Sequence, residues 1–492
     1  MATTTTSRLP FVLADASLLQ TQCYIDGAWT SSSSGATFGV EDPGTGQEWA
    51  RCADAGTVEV AAAVASSAAA FGQYRKTTPR QRAQWLMTWQ RLMEEAREDL
   101  ATLVVHETGK PRAEALGELA YACSFPWWFA GEAERVQGTV SQSATAGRRV
   151  LTLKQPIGVV AALVPWNLPV ALLVRKASGA LAAGCTMVAK PSPETPLSAL
   201  AIALLASRAG FPPGVLNVVP AGPENTPAVA EQLCLDERIR KVTFTGSTRV
   251  GRIIEGLCAR GLKKTTLELG GNCPLIVFDD ADVDQAVGQL MALKWKHAGQ
   301  VCVTANRVYV QRTVYDRFVA ALVAAARDQL RVGHGSQPGV TLGPVTTARS
   351  LARVEALVQD ALGHGAQTVL GSGKRWQEDS TTANTGSGYF MDPTILAHVT
   401  DDMEMSQDEV FGPLLGVAVF DSEDEITQRA NNTSMGLAAY VFTKNNSGNS
   451  SAAEAPFGGL KDSGHGKESG KDVAIDEYLI TKTGTLTVDG HY

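Results

Sequence analysis

Apolar residues return along this chain with two different periods. After Thr78, the residues Trp85, Trp89, Leu92, Met93, Ala96 and Leu100 recur every three or four positions, the spacing of one helical face. Thr78 suits an N-cap, Pro79 the first helical position, and Gln81 completes a capping box, so the pattern predicts a helix running to the breaker Gly109-Lys110-Pro111. The two tryptophans on that face read as core, not as a platform for a ligand. Residues 57–71 are alanine-rich and predict another helix. At 148–164 the period changes: the first half alternates, as in an exposed strand pair, and the second is continuously apolar, as in a strand buried in a parallel sheet. Tyr24-Ile25-Asp26-Gly27, followed by four serines, predicts a short hairpin, and residues 1–21 read as a loose tail.

Strands and helices then alternate. A strand at 186–190, a helix at 196–210 and a strand at 215–219 are followed by a strand at 241–244, a turn at 245–247 and a helix at 248–260. Such alternation means a parallel sheet with helices on both faces. A second α/β series starts near Glu268, with a strand at 301–311, an amphipathic helix at 313–330 carrying Tyr315, Phe318, Leu322 and Ala325 on one face, and a buried strand ending at Phe420. Residues 478–488 alternate as a final strand. The fold class expected is α/β, with two doubly wound parallel-sheet domains.

Composition narrows the function. A length of 492 residues suits two domains, or three with a small appendage, and 44% hydrophobic and 19% charged residues describe a soluble globular protein. A net charge of −7 without any basic block argues against nucleic-acid partners. Eight cysteines lack metal-ligand or disulfide-framework spacing, which predicts reduced thiols, no metal and a cytoplasmic setting. No apolar run approaches the roughly 18 residues of a membrane span, and Met1 to Pro10 has no apolar core of a secretory signal.

The chemistry concentrates at Gly299-Gln300-Val301-Cys302. A glycine just before a cysteine lets the backbone turn sharply and present the thiol, the best side-chain nucleophile near neutral pH once activated. Alone, such a cysteine is more often a small buried apolar residue. Upstream, Leu267-Glu268-Leu269-Gly270-Gly271-Asn272 places a carboxylate between leucines, where burial raises its pKa into the range of a general base. Gly246-Ser247 opens a helix and so offers free N–H groups and a hydroxyl to a pyrophosphate, with Lys190 ending the preceding strand.

These stretches, with Pro165-Trp166-Asn167, Lys190-Pro191-Ser192, Phe244 to Thr248, Glu409-Val410-Phe411-Gly412-Pro413 and Pro456-Phe457-Gly458-Gly459, resemble the NAD(P)-dependent aldehyde dehydrogenase superfamily between Tyr24 and Leu486, and within it succinate-semialdehyde dehydrogenases. The resemblance implies Cys302 as nucleophile, Glu268 as the base that hydrolyses the thioester, and Asn167 as a donor to the oxyanion. It implies a dinucleotide site of Pro165, Trp166, Lys190, Ser192, Glu194, Gly246, Ser247, Leu269, Glu409 and Phe411. It implies a pocket for a distal carboxylate at Arg175, Lys296 and Ser451, Lys296 standing where relatives carry a second arginine. Pro193 occupies the position of a ribose-binding glutamate, with Glu194 next to it, so NAD or NADP is expected, NADP slightly favoured. Thr304 replaces a second thiol of such relatives. The domains implied are a dinucleotide-binding domain at 1–134 and 156–266, a catalytic domain at 267–474, and oligomerisation strands at 135–155 and 475–492, in a homodimer or homotetramer acting on a small-molecule aldehyde. One departure stands out: at 444–454 a helix and strand of relatives, about 20 residues, are replaced by a polar stretch. Two further readings therefore stay open: a catalytically impaired homologue, and a thiol esterase needing no cofactor.

Overall fold

The computed structural model describes residues 9–376, 388–444 and 453–487. Its first sheet has eight strands in the order Ala28–Thr30, Cys23–Ile25, Leu216–Val218, Thr186–Lys190, Val159–Leu163, Ile239–Thr245, Lys264–Glu268 and Gly464–His465. The five inner strands run parallel, which the continuous apolar run at 159–163 foretold, and all five residues of that strand are buried. The helices Pro169–Ala183 and Pro196–Arg208 cover one face, together with Pro79–Glu95 and Arg112–Ala133. The other face packs on Thr57–Tyr74, Thr226–Leu235 and Thr248–Ala259.

A second sheet has the order Gln367–Leu370, Thr394–Ala397, Leu414–Phe420, Ala305–Gln311, Cys273–Val277 and Tyr440–Phe442. Four of its junctions are parallel and only the outermost, Gln367–Leu370 on Thr394–Ala397, is antiparallel. Among the described residues Tyr440–Phe442 lies at an edge, paired on one side to Cys273–Val277. Of the polar stretch at 444–454, expected to stand in place of a helix and a strand, residues 445–452 lie outside the described residues. A third sheet is built from Val140–Gln142, Arg148–Pro156 and Leu479–Thr487, the last two joined in a nine-pair antiparallel register. The α/β architecture with two parallel-sheet domains and a β arm is as expected.

Two element boundaries differ from expectation. The helix after Thr78 breaks at Ala96 (φ −90°, ψ 7°) into Pro79–Glu95 and Arg97–Thr108. The break lets Asp99, in the first turn of the second helix, accept the backbone N–H groups of Ala14 and Asp15. The strand predicted from 301 begins only at Ala305, because Thr304 N–H turns back onto the Val301 carbonyl at 2.9 Å. The chain also leaves the first sheet after Glu268 and re-enters it well before residue 474. Gly464–His465 pairs with Leu267 and Glu268, and Ala453, Ala474, Ile475 and Tyr478 belong to the first sheet's core.

A buried clasp joins the two units. Asp42 accepts from His106 Nδ1 at 2.7 Å and from His334 Nε2 at 2.9 Å, His334 coming from the loop beyond the helix Arg312–Gln329. Burial raises the Asp42 carboxyl, but the two imidazoles outweigh it and hold the group down at about 2. Ser336 N–H approaches His334 Nδ1 at 3.2 Å, which leaves the Nε2 proton for Asp42.

Candidate active site

The two sheets meet at a cleft of about 780 Å³ into which both nucleophile and base open. Three consecutive residues with positive φ lead to the nucleophile: His297 at 49°, Ala298 at 52° and Gly299 at 78°. A non-glycine residue there costs about 1–2 kcal/mol, so this turn persists only if its surroundings hold it. A Cβ at Gly299 would stand 2.2 Å from the Gly412 carbonyl oxygen, so glycine is required by space as well as by φ.

Glu268 ends its strand on the cleft wall, 3% exposed, and its Oε1 has no hydrogen-bond partner among the described residues. Burial, reinforced by the Glu468 carboxylate, pushes it up to about 8 against the pull of Arg175 and Lys176. Burial also pushes the Cys302 thiol up, and the Glu409 and Glu268 carboxylates add to it. Asn167, between the strand Val159–Leu163 and the helix Pro169–Ala183, donates through Nδ2 to the Gln300 carbonyl at 3.0 Å. The structure thus brings Cys302, Glu268 and Asn167 to one cleft.

Of the residues implied for a dinucleotide, Pro165, Trp166, Glu194 and Gly246 line the cleft, as do Ser247, Leu269, Glu409 and Phe411. Ser247 caps the helix Thr248–Ala259, accepting from Val250 N–H, which leaves the earlier N–H groups of the turn for an anion. Glu409 Oε1 accepts from Gly271 N–H at 3.1 Å, and its burial pushes it up to about 7. Phe411 sits edge-on to Trp166 at 5.6 Å. Lys190 and Ser192 stand one step back: Lys190 Nζ donates to the Pro191 carbonyl at 2.9 Å and the Ser192 hydroxyl donates to Glu194. Exposed helix N–H groups, apolar rings and a carboxyl facing one cleft fit a dinucleotide's phosphates, nicotinamide and ribose.

At the other end, Arg175 and Lys296 both line the cleft. Arg175 is buried, and its Nε and Nη2 are engaged by Glu468 at 3.0 and 2.6 Å, with Phe457 beneath the guanidinium at 5.3 Å. Lys296 is exposed at the cleft. Ser451 lies outside the described residues. Sequence reasoning missed Glu468, which joins Arg175, Lys176 and Thr243 behind Glu268, and it missed Tyr121 on the cleft wall. Their partners are far away in the chain, so no local pattern announces them.

The comparisons agree with this geometry. Residues 29–484 match the model of the aldehyde dehydrogenase family. The chain is 44% identical over 488 residues to a 3-sulfolactaldehyde dehydrogenase of Pseudomonas putida, covering 96% of this chain and 98% of that protein. It is 43% identical over 485 residues to the mitochondrial succinate-semialdehyde dehydrogenase of Homo sapiens, covering 95% and 88%. An Escherichia coli succinate-semialdehyde dehydrogenase whose name specifies NADP(+) is 43% identical over 488 residues, covering 96% and 98%. The crystal structure of a succinate-semialdehyde dehydrogenase from Burkholderia pseudomallei superposes with a TM-score of 0.93 at 42% identity, over 97% of this chain and all of that one. These likenesses do not favour an impaired homologue. The chain belongs to the aldehyde dehydrogenase family and is an NAD(P)-dependent aldehyde dehydrogenase.

Proposed function

We propose that the chain oxidises an aldehyde carrying a distal anion, succinate semialdehyde or a similar ω-carboxylate aldehyde, to the corresponding acid. The observation that carries this is one cleft holding Cys302 and Glu268 with the cations Arg175 and Lys296 on its wall. Succinate semialdehyde and sulfolactaldehyde, named for the relatives above, both place an anion at the far end of a short aldehyde.

Cys302 Sγ adds as the thiolate to the carbonyl carbon, its proton having passed to a solvent water in the open cleft. The developing alkoxide lies between the Cys302 backbone N–H and the amide of Asn167, whose second N–H remains once Gln300 has taken the first. A bound NAD(P), which Ser247, Glu409 and Phe411 would hold, would supply the hydride acceptor for oxidation of this adduct to a thioester. Glu268, whose Oε1 is unpaired among the described residues, then removes a proton from the water that hydrolyses the thioester. Lys296 attracts the distal carboxylate. The Arg175–Glu468 pair orients it with less net charge than a free arginine would offer. The exposed apolar residues Val140, Leu153, Ile480 and Leu486 on the third sheet support assembly into a homodimer or homotetramer.

A stopped-flow trace of nicotinamide absorbance tests the mechanism. Glu268→Gln should keep the first-turnover burst and lose steady-state turnover by about 10²–10⁴-fold. Loss of the burst would place Glu268 before thioester formation. Lys296→Ala should raise KM for succinate semialdehyde and leave KM for butanal unchanged, whereas equal effects on both would refute the carboxylate pocket.

A further inference from the structure

Lys110, just before the helix Arg112–Ala133, is followed at four-residue intervals by Glu114 and Glu118 on that helix, Glu118 reaching the cleft wall. Each reaches backbone of a segment that carries an oxyanion donor. Lys110 Nζ donates to the backbone carbonyl of Asn167 at 2.8 Å and pairs with Glu118. Glu118 Oε1 accepts the N–H groups of Val170 and Ala171 at 3.0 and 3.2 Å, in the first turn of the helix that follows Asn167. Glu114 Oε2 accepts the N–H of His297 at 2.6 Å, the first residue of the left-handed turn that delivers Cys302. The bond from Asn167 Nδ2 to the Gln300 carbonyl closes the circuit between the two segments.

Stability does not explain such a row. Lys110 is 1% and Glu118 2% exposed, and a buried ion pair is often no better for stability than apolar side chains of the same volume. Fixed position is what such groups supply. Among the described residues, no sheet joins the strained turn to the helix start.

We infer that Lys110, Glu114 and Glu118 are positioning residues that set the distance between the Asn167 amide and the Cys302 backbone N–H. The inference rests on the proposed role of Asn167 as an oxyanion donor. In this role the row acts through the two donors, and the Asn167→Ala background below separates it from any direct contact that Glu118 makes at the cleft wall.

The test uses the full chain, with the burst rate constant, the dinucleotide KM and the thermal midpoint as readouts. Lys110→Met combined with Glu118→Gln removes the ion pair without leaving a buried unpaired charge, and the glutamine oxygen can still accept from Val170 and Ala171. The burst should slow by about tenfold with the dinucleotide KM within about twofold. In an Asn167→Ala background the same pair of changes should slow it no further. A parental burst rate, or the same loss in both backgrounds, overturns the inference. Glu114→Ala, which leaves the ion pair intact, should also slow the burst about tenfold, with recovery in Glu114→Gln because an acceptor for His297 is restored. A parental rate in Glu114→Ala, or no recovery, counts against the inference even if the double variant does not fold. If Asn167→Ala alone leaves the burst unchanged, the oxyanion role itself is wrong and the inference falls with it; an Asn167→Ala defect with an unaffected row refutes the row alone.

Discussion

Glu268 shows how much of a side chain's chemistry comes from its neighbours. Burial and the Glu468 carboxylate bring its carboxyl to about 8, so the basic form grows as pH rises through that value. Thioester hydrolysis should therefore accelerate with pH and level off above about 8, while Glu268→Gln should give a flat profile, both read from steady-state rates under saturating aldehyde. Glu194 carries a comparable lesson about the dinucleotide. Pro193 suggested that no carboxylate would oppose a 2′-phosphate, but Glu194 lines the cleft and takes the Ser192 hydroxyl. Like charges brought together at a binding surface cost several kcal/mol. Glu194→Gln should raise kcat/KM for NADP relative to NAD by about tenfold or more, and an unchanged ratio would mean that the 2′ position lies elsewhere. Cys302, Glu268 and Asn167, which the fold brings to one cleft, each sit where an apolar segment gives way to a glycine or a turn, which is a local signal. Glu468 carries none, since Arg175 and Lys176 reach it only once nearly three hundred residues of chain have folded.

Helix starts were readable because their chemistry is local: Thr78 accepts from Gln81 N–H at 3.2 Å with Pro79 as the first helical residue, as the capping pattern implied. The break at Ala96 was not readable. Leu100 keeps the apolar period across it, and the bonds that accompany the break, from the Ala14 and Asp15 N–H groups to the Asp99 carboxylate, are tertiary. The nucleophile's turn lies between these cases. Gly299 signalled a sharp bend, but that His297 and Ala298 share its left-handed conformation depends on packing against Glu114 and the Gly412 region. Gly299→Ala should fold and lose most burst amplitude, because the new methyl must displace the Gly412 carbonyl from 2.2 Å. A variant with parental burst and midpoint would show that the turn tolerates a shifted Gly412.

Buried carboxyls spread through the first unit make its stability depend on pH in an unusual direction. Glu107 is fully buried, accepts Ser198 N–H at 3.0 Å at the start of the helix Pro196–Arg208, and is pushed up to about 7 by burial. Its folded value exceeds the unfolded 4.5, so the folded protein holds its proton more tightly. The resulting stabilisation is complete below about 4.5 and is lost as pH rises through about 7. The thermal midpoint should fall from pH 6 to pH 8, and Glu107→Gln should fall less across the same interval; an equal fall would remove Glu107 as a contributor.

The return of Gly464–His465 to the edge beside Lys264–Glu268 has a consequence for how the chain is made. A ribosome releases the first seven strands of that sheet long before the eighth, and Ala474, Ile475 and Tyr478 reach the core beneath it later still. Until they arrive, the apolar face that will receive Tyr478 is open and Lys176 and Arg175 lack the Glu468 carboxylate. The nascent chain must therefore wait, with its second unit already emerging, for its final segment before the first can close. Contacts between residues so far apart in sequence are slow to form and leave partly folded chains prone to aggregation. Synthesis arrested at residue 450 should consequently yield a chain cut rapidly by protease within residues 169–183, a segment wholly buried in the finished protein.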